Sequence, residues 1–269
     1  MRFERDFLLS VAVGKQIVDI APPMRITFDA FKSIYGGLNK LTVQIYNLKE
    51  SNRLILVKDV EQQKRIPFAL QVGYKGLLSH IFKGTVFKGA TKRNGTDFIT
   101  TLESLDGGFD FLNSFTSKTV SGKPAAVGAI LKDMPNTKKG TITKQNLTSR
   151  PVVLVGNSGK LIQQQLGPDE TYYIDDETLY IINKDEVRKT FVPIISPDTG
   201  LLNTPERENM RVTFATLMYP EIKIGGKCEL KSTTAPHLNG FYRVESIKYS
   251  GDYFGSSWMQ ENTGTLIKK

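Results

Sequence analysis

Short runs in which apolar and polar residues alternate recur along the chain, and this two-residue period limits the fold more than any other feature. The clearest run is Leu41–Asn47, and Phe68–Tyr74, Ile81–Lys88 and Phe98–Leu105 behave similarly. Alternation places successive side chains on opposite faces of a strand, so each run is typical of a half-buried antiparallel β-strand. We therefore predict a β-domain over residues 1–112.

Glycine-containing pairs separate these runs. Asn94-Gly95 lies between two of them, where a two-residue hairpin turn requires positive φ. Gly36-Gly37 likewise separates the run Arg25–Ser33 from the next strand. Several short strands at this spacing favour a closed or sandwiched β-architecture.

Two short helices are predicted in the middle third. Ser121-Gly122-Lys123-Pro124 places a capping hydroxyl and an early proline before a helix at Ala125–Leu131. Ser158 is predicted to cap a second helix, Gly159–Leu166, which stops before a Gly-Pro pair.

A hairpin follows these helices. Thr171–Ile174 and Leu179–Ile182 read as apolar-aromatic strands joined through Asp175-Asp176-Glu177. Helices packed on a short hairpin make a small α+β unit, which we place over residues 113–190.

The final third returns to strands, and we predict a second β-domain over residues 191–269. Arg211–Leu217, Lys227–Leu230 and Tyr242–Ser250 alternate, with glycine-containing turns between them. The connector at residues 196–209 contains two prolines and several turn-forming residues, so it is predicted to be an extended surface loop.

Length, cysteine content and charge narrow the class of protein. A chain of 269 residues can form one large or two to three small domains, and its apolar runs are too short to span a membrane. The only cysteine is Cys228, so stability must come from packing or association. The net charge of +9 suggests an acidic partner, although Lys and Arg cluster only in pairs such as Lys92-Arg93.

Residues suited to catalysis or metal binding are scarce. His80 and His237 are the only histidines, and with one cysteine at these separations they match no zinc spacing. Each is interpreted as a packed or exposed histidine. No catalytic, cofactor-binding or metal-binding residue is therefore assigned, and the chain is predicted not to be an enzyme.

Gly156-Asn157-Ser158-Gly159-Lys160 follows an apolar strand and opens a helix, as a phosphate-binding loop does. The full motif needs a glycine five positions before the Gly-Lys pair and a hydroxyl residue after the lysine. Those places hold Leu154 and Leu161 instead. A capped helix explains the same residues without a ligand.

Two further groups have an alternative functional interpretation. The carboxylates of Asp175-Asp176-Glu177 and of Glu206 and Glu208 could be imagined as hydrolase pairs, but predicted turns and loops usually leave such residues solvated. Aromatic residues at 172–173, 109 and 111 could stack on bases. Tyr172, Tyr173, Phe109 and Phe111 are interpreted instead as core residues.

The order of these features resembles a known family. The segment from Arg25 to Lys32 and then Asn39–Leu48, followed by Phe68–Tyr74 and Ile81–Gly84, resembles the first β-barrel of phage tail baseplate hub proteins. Ser158–Leu166 and Tyr172–Asn183 resemble the helix-and-hairpin unit of that family. Residues 200–207, 217–220 and 238–244, with Gly251, Asp252 and Trp258, resemble its second barrel.

This resemblance covers most of the chain. The relatives it suggests are the central hubs of contractile-tailed phages, the late control protein D group and the hub part of type VI secretion spike proteins. It implies two β-barrel-like tube domains flanking a helix-and-hairpin insertion, and a homotrimer whose pseudo-sixfold ring joins the tail tube to the central spike.

The partners implied are tail tube or distal tail proteins, a central spike protein and a tape measure protein, with DNA passing through the ring without specific binding. The expected location is the virion tail baseplate, assembled in the host cytoplasm, with no stable membrane insertion. Excess Lys and Arg are expected on outer and inter-subunit faces, with a neutral or acidic channel wall. Two alternatives stay open: a sixfold distal tail protein, and a basic β-barrel that binds single-stranded nucleic acid.

Overall fold

The first third of the chain is a run of strands interrupted by one helix. The computed structural model describes residues 4–61, 64–143 and 151–267. The N-terminal elements are β1 (Arg5–Val13), β2 (Gln16–Ile20), β3 (Ile26–Ser33), β4 (Lys40–Tyr46), α1 (Glu50–Glu61), β5 (Pro67–Tyr74), β6 (Leu77–Asn94) and β7 (Asp97–Leu105). Every strand predicted in this region is confirmed, whereas the two-residue period does not predict α1.

The middle third is mixed, and the final third is again mostly strand. The middle elements are α2 (Gly108–Asn113), β8 (Phe115–Ser121), α3 (Lys123–Lys132), β9 (Lys138–Ile142), β10 (Pro151–Asn157), α4 (Ser158–Gln164), β11 (Glu170–Asp175) and β12 (Thr178–Asn183). The last are β13 (Ile194–Ile195), β14 (Glu206–Glu208), β15 (Arg211–Leu217), β16 (Lys227–Leu230), β17 (Gly240–Asp252) and β18 (Trp258–Leu266). None of the helices in these described ranges is long and apolar enough to cross a membrane.

One large sheet joins the two ends of the chain. Its strand order is β14-β15-β18-β17-β3-β4-β7-β6-β5-β1-β2, and β16 and β13 attach beside β17. The join is the antiparallel pair of β17 with β3, from Ser246 opposite Ser33 to Asp252 opposite Thr27. The prediction of a mainly β chain with a small α+β part is confirmed, and the path stays open at β14 and β2.

Strand β6 passes from one part of this sheet to another. Residues Leu77–Thr85 pair with β5, and Thr85–Asn94 pair with β7, with a bulge at Phe87. In the stretch Val86–Asn94, the edge that faces away from β7 therefore pairs with no strand of the described residues, although the N–H of Val86 at its start donates to the carbonyl of Ile66 at 3.0 Å.

Two hydrophobic cores hold the fold together. The larger one takes residues from both the first and the last third, among them Phe28, Val43, Phe214 and Tyr249. The smaller one lies in the middle third and includes Ile130 and one face of the β11–β12 hairpin, whose other face, with Tyr173 and Tyr180, packs into the larger core. The domain boundaries near residues 112 and 190 stay a prediction.

Three local predictions are wrong. Gly122, not Ser121, precedes α3, because Ser121 is the last residue of β8. Asn157 caps α4, its side chain accepting a hydrogen bond from the backbone N–H of Lys160, so Ser158 is one position inside the helix. The connector at residues 196–209 is only partly a loop, because Glu206–Glu208 pair with β15.

Candidate assembly site

Eight strands form an arc whose two ends are unpaired. The arc runs β14-β15-β18-β17-β3-β4-β7-β6, and every neighbouring pair in it is antiparallel. Among the described residues, β14 pairs only with β15, and the stretch Val86–Asn94 of β6 pairs only with β7. Unpaired strand edges present backbone N–H and C=O groups that another strand can use.

The two ends of the arc carry opposite charge. Glu206 and Glu208 are exposed on β14 and point to the same face, because strand side chains alternate. Lys88 and Lys92 lie on that same face of β6, since the register through the arc keeps them in phase. The predicted solvation of Glu206 and Glu208 is confirmed, although they lie on a strand at one end of the arc.

One face of the arc packs on the core, and the other is open, mostly polar apart from exposed Phe31, and nearly balanced in charge. Hydroxyl and amide residues are frequent on the open face, as in Thr27, Thr42, Gln44 and Thr101. Its other charged residues include Asp29, Glu103 and Glu261 and, of opposite sign, Lys40 and Lys248. Glu103 forms ion pairs with two lysines, Lys40 at 2.7 Å and Lys88 at 3.1 Å.

The turn between β11 and β12 inserts into a buried junction. Asp175 is almost fully buried, and its carboxylate accepts hydrogen bonds from Lys32 Nζ at 2.7 Å and from Arg188 at 2.7 Å. Burial opposes ionisation of Asp175, but the neighbouring cations Lys32, Lys223 and Arg188 lower its pKa to about 2. The expectation that these turn carboxylates are solvated is therefore wrong for Asp175.

Asp106, which follows β7, holds the same turn from the other side. Its two carboxylate oxygens accept the backbone N–H groups of Asp176 and Glu177 at 2.7 and 2.6 Å. Both turn residues have positive φ, 53° and 61°. Burial, reinforced by repulsion from Asp175 and Asp176 and opposed by Lys32, raises the pKa of Asp106 to about 8.

The junction ties all three parts of the chain to the hairpin turn. Lys32 and Asp106 come from the first third, where Arg65 also pairs with Glu177 at 2.8 Å. Lys223, from the last third, donates to the backbone carbonyl of His80 at 2.8 Å and lies 4.0 Å from Asp176. The cluster therefore fixes the middle unit against the sheet.

Three of these carboxylates lie close enough to bind one cation. The group is Asp106, Asp175 and Asp176. Lys32 Nζ already lies 2.7 Å from Asp175 and 2.9 Å from Asp176, and its pKa is raised well above the usual value although burial opposes this. We interpret the cluster as a salt-bridge network rather than a metal centre.

Sequence reasoning missed Lys32, although a signal was present. Phe28, Ala30 and Ile34 face the core in β3 and the residues after it, and Lys32 occupies the same phase. A lysine at an inward position of an alternating strand requires a buried acidic partner. That partner is Asp175, which is distant in sequence.

The histidines and the cysteine are not brought together. His80 lies on β6, and its pKa is lowered by burial and by Lys83. His237 is exposed in the short 3-10 turn Pro236–Leu238. Cys228 is buried in β16, where burial raises its pKa to about 12.

The glycine-containing loop before α4 is a packing feature. Asn157 also donates to the carbonyls of Phe111 and Leu112, both at 3.1 Å. A Cβ on Gly159 would lie 2.6 Å from the ring of Phe111, so close packing requires the glycine. Ser158 is buried and hydrogen-bonded to Thr116.

The aromatic residues singled out by the sequence are mostly core residues, as predicted. Tyr172 stacks on Phe111 with ring centroids 6.1 Å apart, and Tyr173 stacks on Tyr180 at 5.1 Å. Tyr173 is fully buried, so it offers no face to a base. Phe109, a residue of α2, is only half-buried and lines a groove beside β6.

Comparison with known proteins gives a family and a fold. A family model described as baseplate hub gp41 matches residues 8–252. No curated protein sequence matches the chain.

Several solved structures share the fold. The 43 kDa tail protein of prophage MuSo2 from Shewanella oneidensis has a TM-score of 0.67 and 8% identity, with 97% of each chain covered. The tail protein from Neisseria meningitidis MC58 has a TM-score of 0.64 and 8% identity, with 96% of each chain covered. The E. coli c3393 protein, a type VI secretion component, has a TM-score of 0.66 and 8% identity, covering 97% of this chain and 77% of that one.

Proposed function

The chain belongs to the baseplate hub gp41 family, and from that premise we propose that it is a non-enzymatic subunit of a trimeric, pseudo-sixfold ring. The ring joins the tail tube to the central spike in the virion tail baseplate. Residues 1–112 and 191–269 act as the two tube domains, and residues 113–190 as the insertion between them. Assembly takes place in the host cytoplasm.

The observation that carries this proposal is the open eight-strand arc. Because the arc holds an even number of antiparallel strands, β14 and β6 run in opposite directions at its two ends. Joining β14 of one copy to the Val86–Asn94 edge of the next therefore continues the antiparallel alternation. Such a joint is heterologous, and a closing rotation turns it into a ring.

The charges at the two ends support the same joint. In an antiparallel pairing, Glu206 and Glu208 of one copy lie on the same face as Lys88 and Lys92 of the next. The two glutamates are two residues apart and the two lysines four, so one register places one glutamate directly opposite one lysine. Such a cross-strand pair of opposite charges contributes roughly 0.2–1 kcal/mol. Two ends of like sign would repel instead.

The open face of the arc suits a channel wall. Proteins that bind DNA tightly neutralise its phosphates with many Lys and Arg residues, and this releases the counterions of the DNA. A hydroxyl-rich face with nearly balanced charge, on which Lys40 and Lys88 pair with Glu103, holds DNA weakly, so DNA can pass. The remaining partners are tail tube or distal tail proteins, the spike and a tape measure protein, which contact the outer surfaces.

Charge reversal at the two edges tests the ring. We expect Glu206→Lys/Glu208→Lys and, separately, Lys88→Glu/Lys92→Glu to reduce trimer formation, measured by native mass spectrometry of the chain and by its incorporation into tail particles. The quadruple variant swaps the two signs in every joint, so it should recover the trimer.

The ion pair of Glu4 with Lys75 provides the matched control. Both side chains are exposed, and neither lies at an end of the arc. Glu4→Lys/Lys75→Glu should leave assembly unchanged. Trimers that persist in both edge variants, or a quadruple variant that assembles no better than either, would show that copies do not meet through these edges.

A further inference from the structure

A groove lies at the Val86 end of the unpaired β6 edge. It encloses about 260 Å³ between α2 and the strands β6 and β7. The apolar part of its lining includes Phe87, Leu105, Phe109 and Leu112, of which Phe87 and Leu112 are exposed. Its polar part is Lys64, Thr85 and Asn113. Phe87 is also the bulged residue of β6, so the groove begins where the unpaired edge begins.

An exposed methionine lies at the tip of the opposite end of the arc. Asn209 and Met210 form the turn between β14 and β15, since Glu208 pairs with Arg211. Asn209 has a φ of 55°, and the side chain of Met210 is 64% exposed. A flexible apolar side chain at a hairpin tip is suited to filling an irregular apolar groove.

Strand direction brings these two features together when copies join. Suppose that Glu208 of one copy faces Lys88 of the next. Because the pairing is antiparallel, the residues that follow Glu208 lie toward the residues that precede Lys88 in β6. The β14–β15 turn, which carries Met210, then lies beyond Glu208 at the level of Val86 and Phe87, which line the groove. In this register, one of the four that place one of the two glutamates opposite one of the two lysines, the turn and the groove lie at the same end of the joint.

We propose that Met210 at the β14–β15 turn inserts into the groove of Phe87, Leu105, Phe109 and Leu112 in a second copy of the chain. This inference rests on the proposed ring and names the contact that anchors it. The apolar contact selects this register among those that place a glutamate opposite a lysine, because a slip of two residues along the strand would withdraw Met210 from the groove.

Disulfide cross-linking tests this contact. Met210→Cys and Asn113→Cys place one thiol at the tip and one beside Leu112, and the native Cys228 is buried. After mild oxidation of assembled tail particles, we expect dimers and trimers of the double variant on a non-reducing gel, and monomers of each single variant.

The outcomes separate the two proposals. A ring of three copies by native mass spectrometry that gives only monomers on the gel would overturn the groove contact and leave the ring standing. Cross-links in a ring of a different copy number would support the contact and overturn the trimer.

A charge inserted at the tip provides a second test. Met210→Glu should weaken incorporation into particles about tenfold or more, since burying an apolar side chain of this size contributes about 1.5 kcal/mol or more. Leu77→Glu is the control, because Leu77 is 75% exposed beside the β5–β6 turn and lies outside the arc joint. Equal incorporation of the two variants would contradict the contact.

Discussion

Replacing Lys32 by methionine removes the central cation of the buried junction and keeps most of the side-chain volume. Lys32 Nζ lies 2.7 Å from Asp175 and 2.9 Å from Asp176, and the side chains of Lys32 and Asp175 are only 3% and 2% exposed. Without the ammonium group, Asp175 and Asp176 stay close together and close to Asp106.

The expected loss follows from this burial. Removing one partner of a buried ion pair destabilises a protein by about 3–5 kcal/mol. Because Arg188 still donates to Asp175 at 2.7 Å, we place Lys32→Met at the lower end of this range. A loss of about 3 kcal/mol lowers Tm by about 6–12 °C in a chain somewhat smaller than this one.

Urea unfolding and thermal unfolding both measure this loss. Lys118→Met is the matched control, because Lys118 pairs with Asp133 at 2.6 Å while the two side chains are 40% and 23% exposed. An exposed pair of this kind contributes about 0–1 kcal/mol. If Lys32→Met is no more destabilising than Lys118→Met, burial of the junction does not have the energetic role assigned to it.

Three further predictions concern pH, nucleotides and DNA. Because the pKa of Asp106 is raised from 3.8 to about 8, the folded chain retains a proton there that the unfolded chain releases, so this group lowers stability as pH rises from about 4 to 8. Asp106→Asn should flatten the fall in the free energy of unfolding between pH 7 and 8, and an unchanged slope would contradict this. Lys160→Ala should leave nucleotide affinity, measured by calorimetry, unchanged, because Asn157 caps α4 and Ser158 is buried within it. Millimolar ATP binding that is lost in this variant would refute the prediction. In a salt series, the purified chain should bind nonspecific DNA more weakly than micromolar at physiological salt, and submicromolar binding would favour a nucleic-acid role instead.

Much of the sheet is predictable from local pattern. Leu41–Asn47 and Phe98–Leu105 match β4 and β7 to within a residue, because half-buried strands impose alternation on their side chains. The hairpin at Asn94-Gly95 is confirmed, although the turn residues are Gly95 and Thr96. Helix α1 interrupts this region, and the alternating pattern does not predict it.

The junction and the joining of the two β-regions are not predictable in this way. Lys32 and Asp175 are separated by 143 residues, and only the folded chain shows that they pair. Asp175 lies in a turn sequence, Asp175-Asp176-Glu177, that is typical of solvated loops. Tertiary packing buries it because the hairpin turn inserts between the sheet and Lys223.

The same limit applies to the assembly site. Glu206 and Glu208 are merely acidic in sequence, and Lys88 and Lys92 merely basic. Their relation depends on a strand order that connects β17 to β3 and leaves β14 and β6 at opposite ends of one arc. No local pattern specifies that order.

A density map of the assembled tail tip tests the account most directly. We predict a ring of three copies in which β14 of each copy pairs antiparallel with the Val86–Asn94 edge of the next, with the face that carries Thr27, Thr42 and Thr101 turned toward the bore. A map in which these two edges face solvent, or in which that polar face points away from the bore, would contradict the proposal that the chain works by closing its strand arc into a ring.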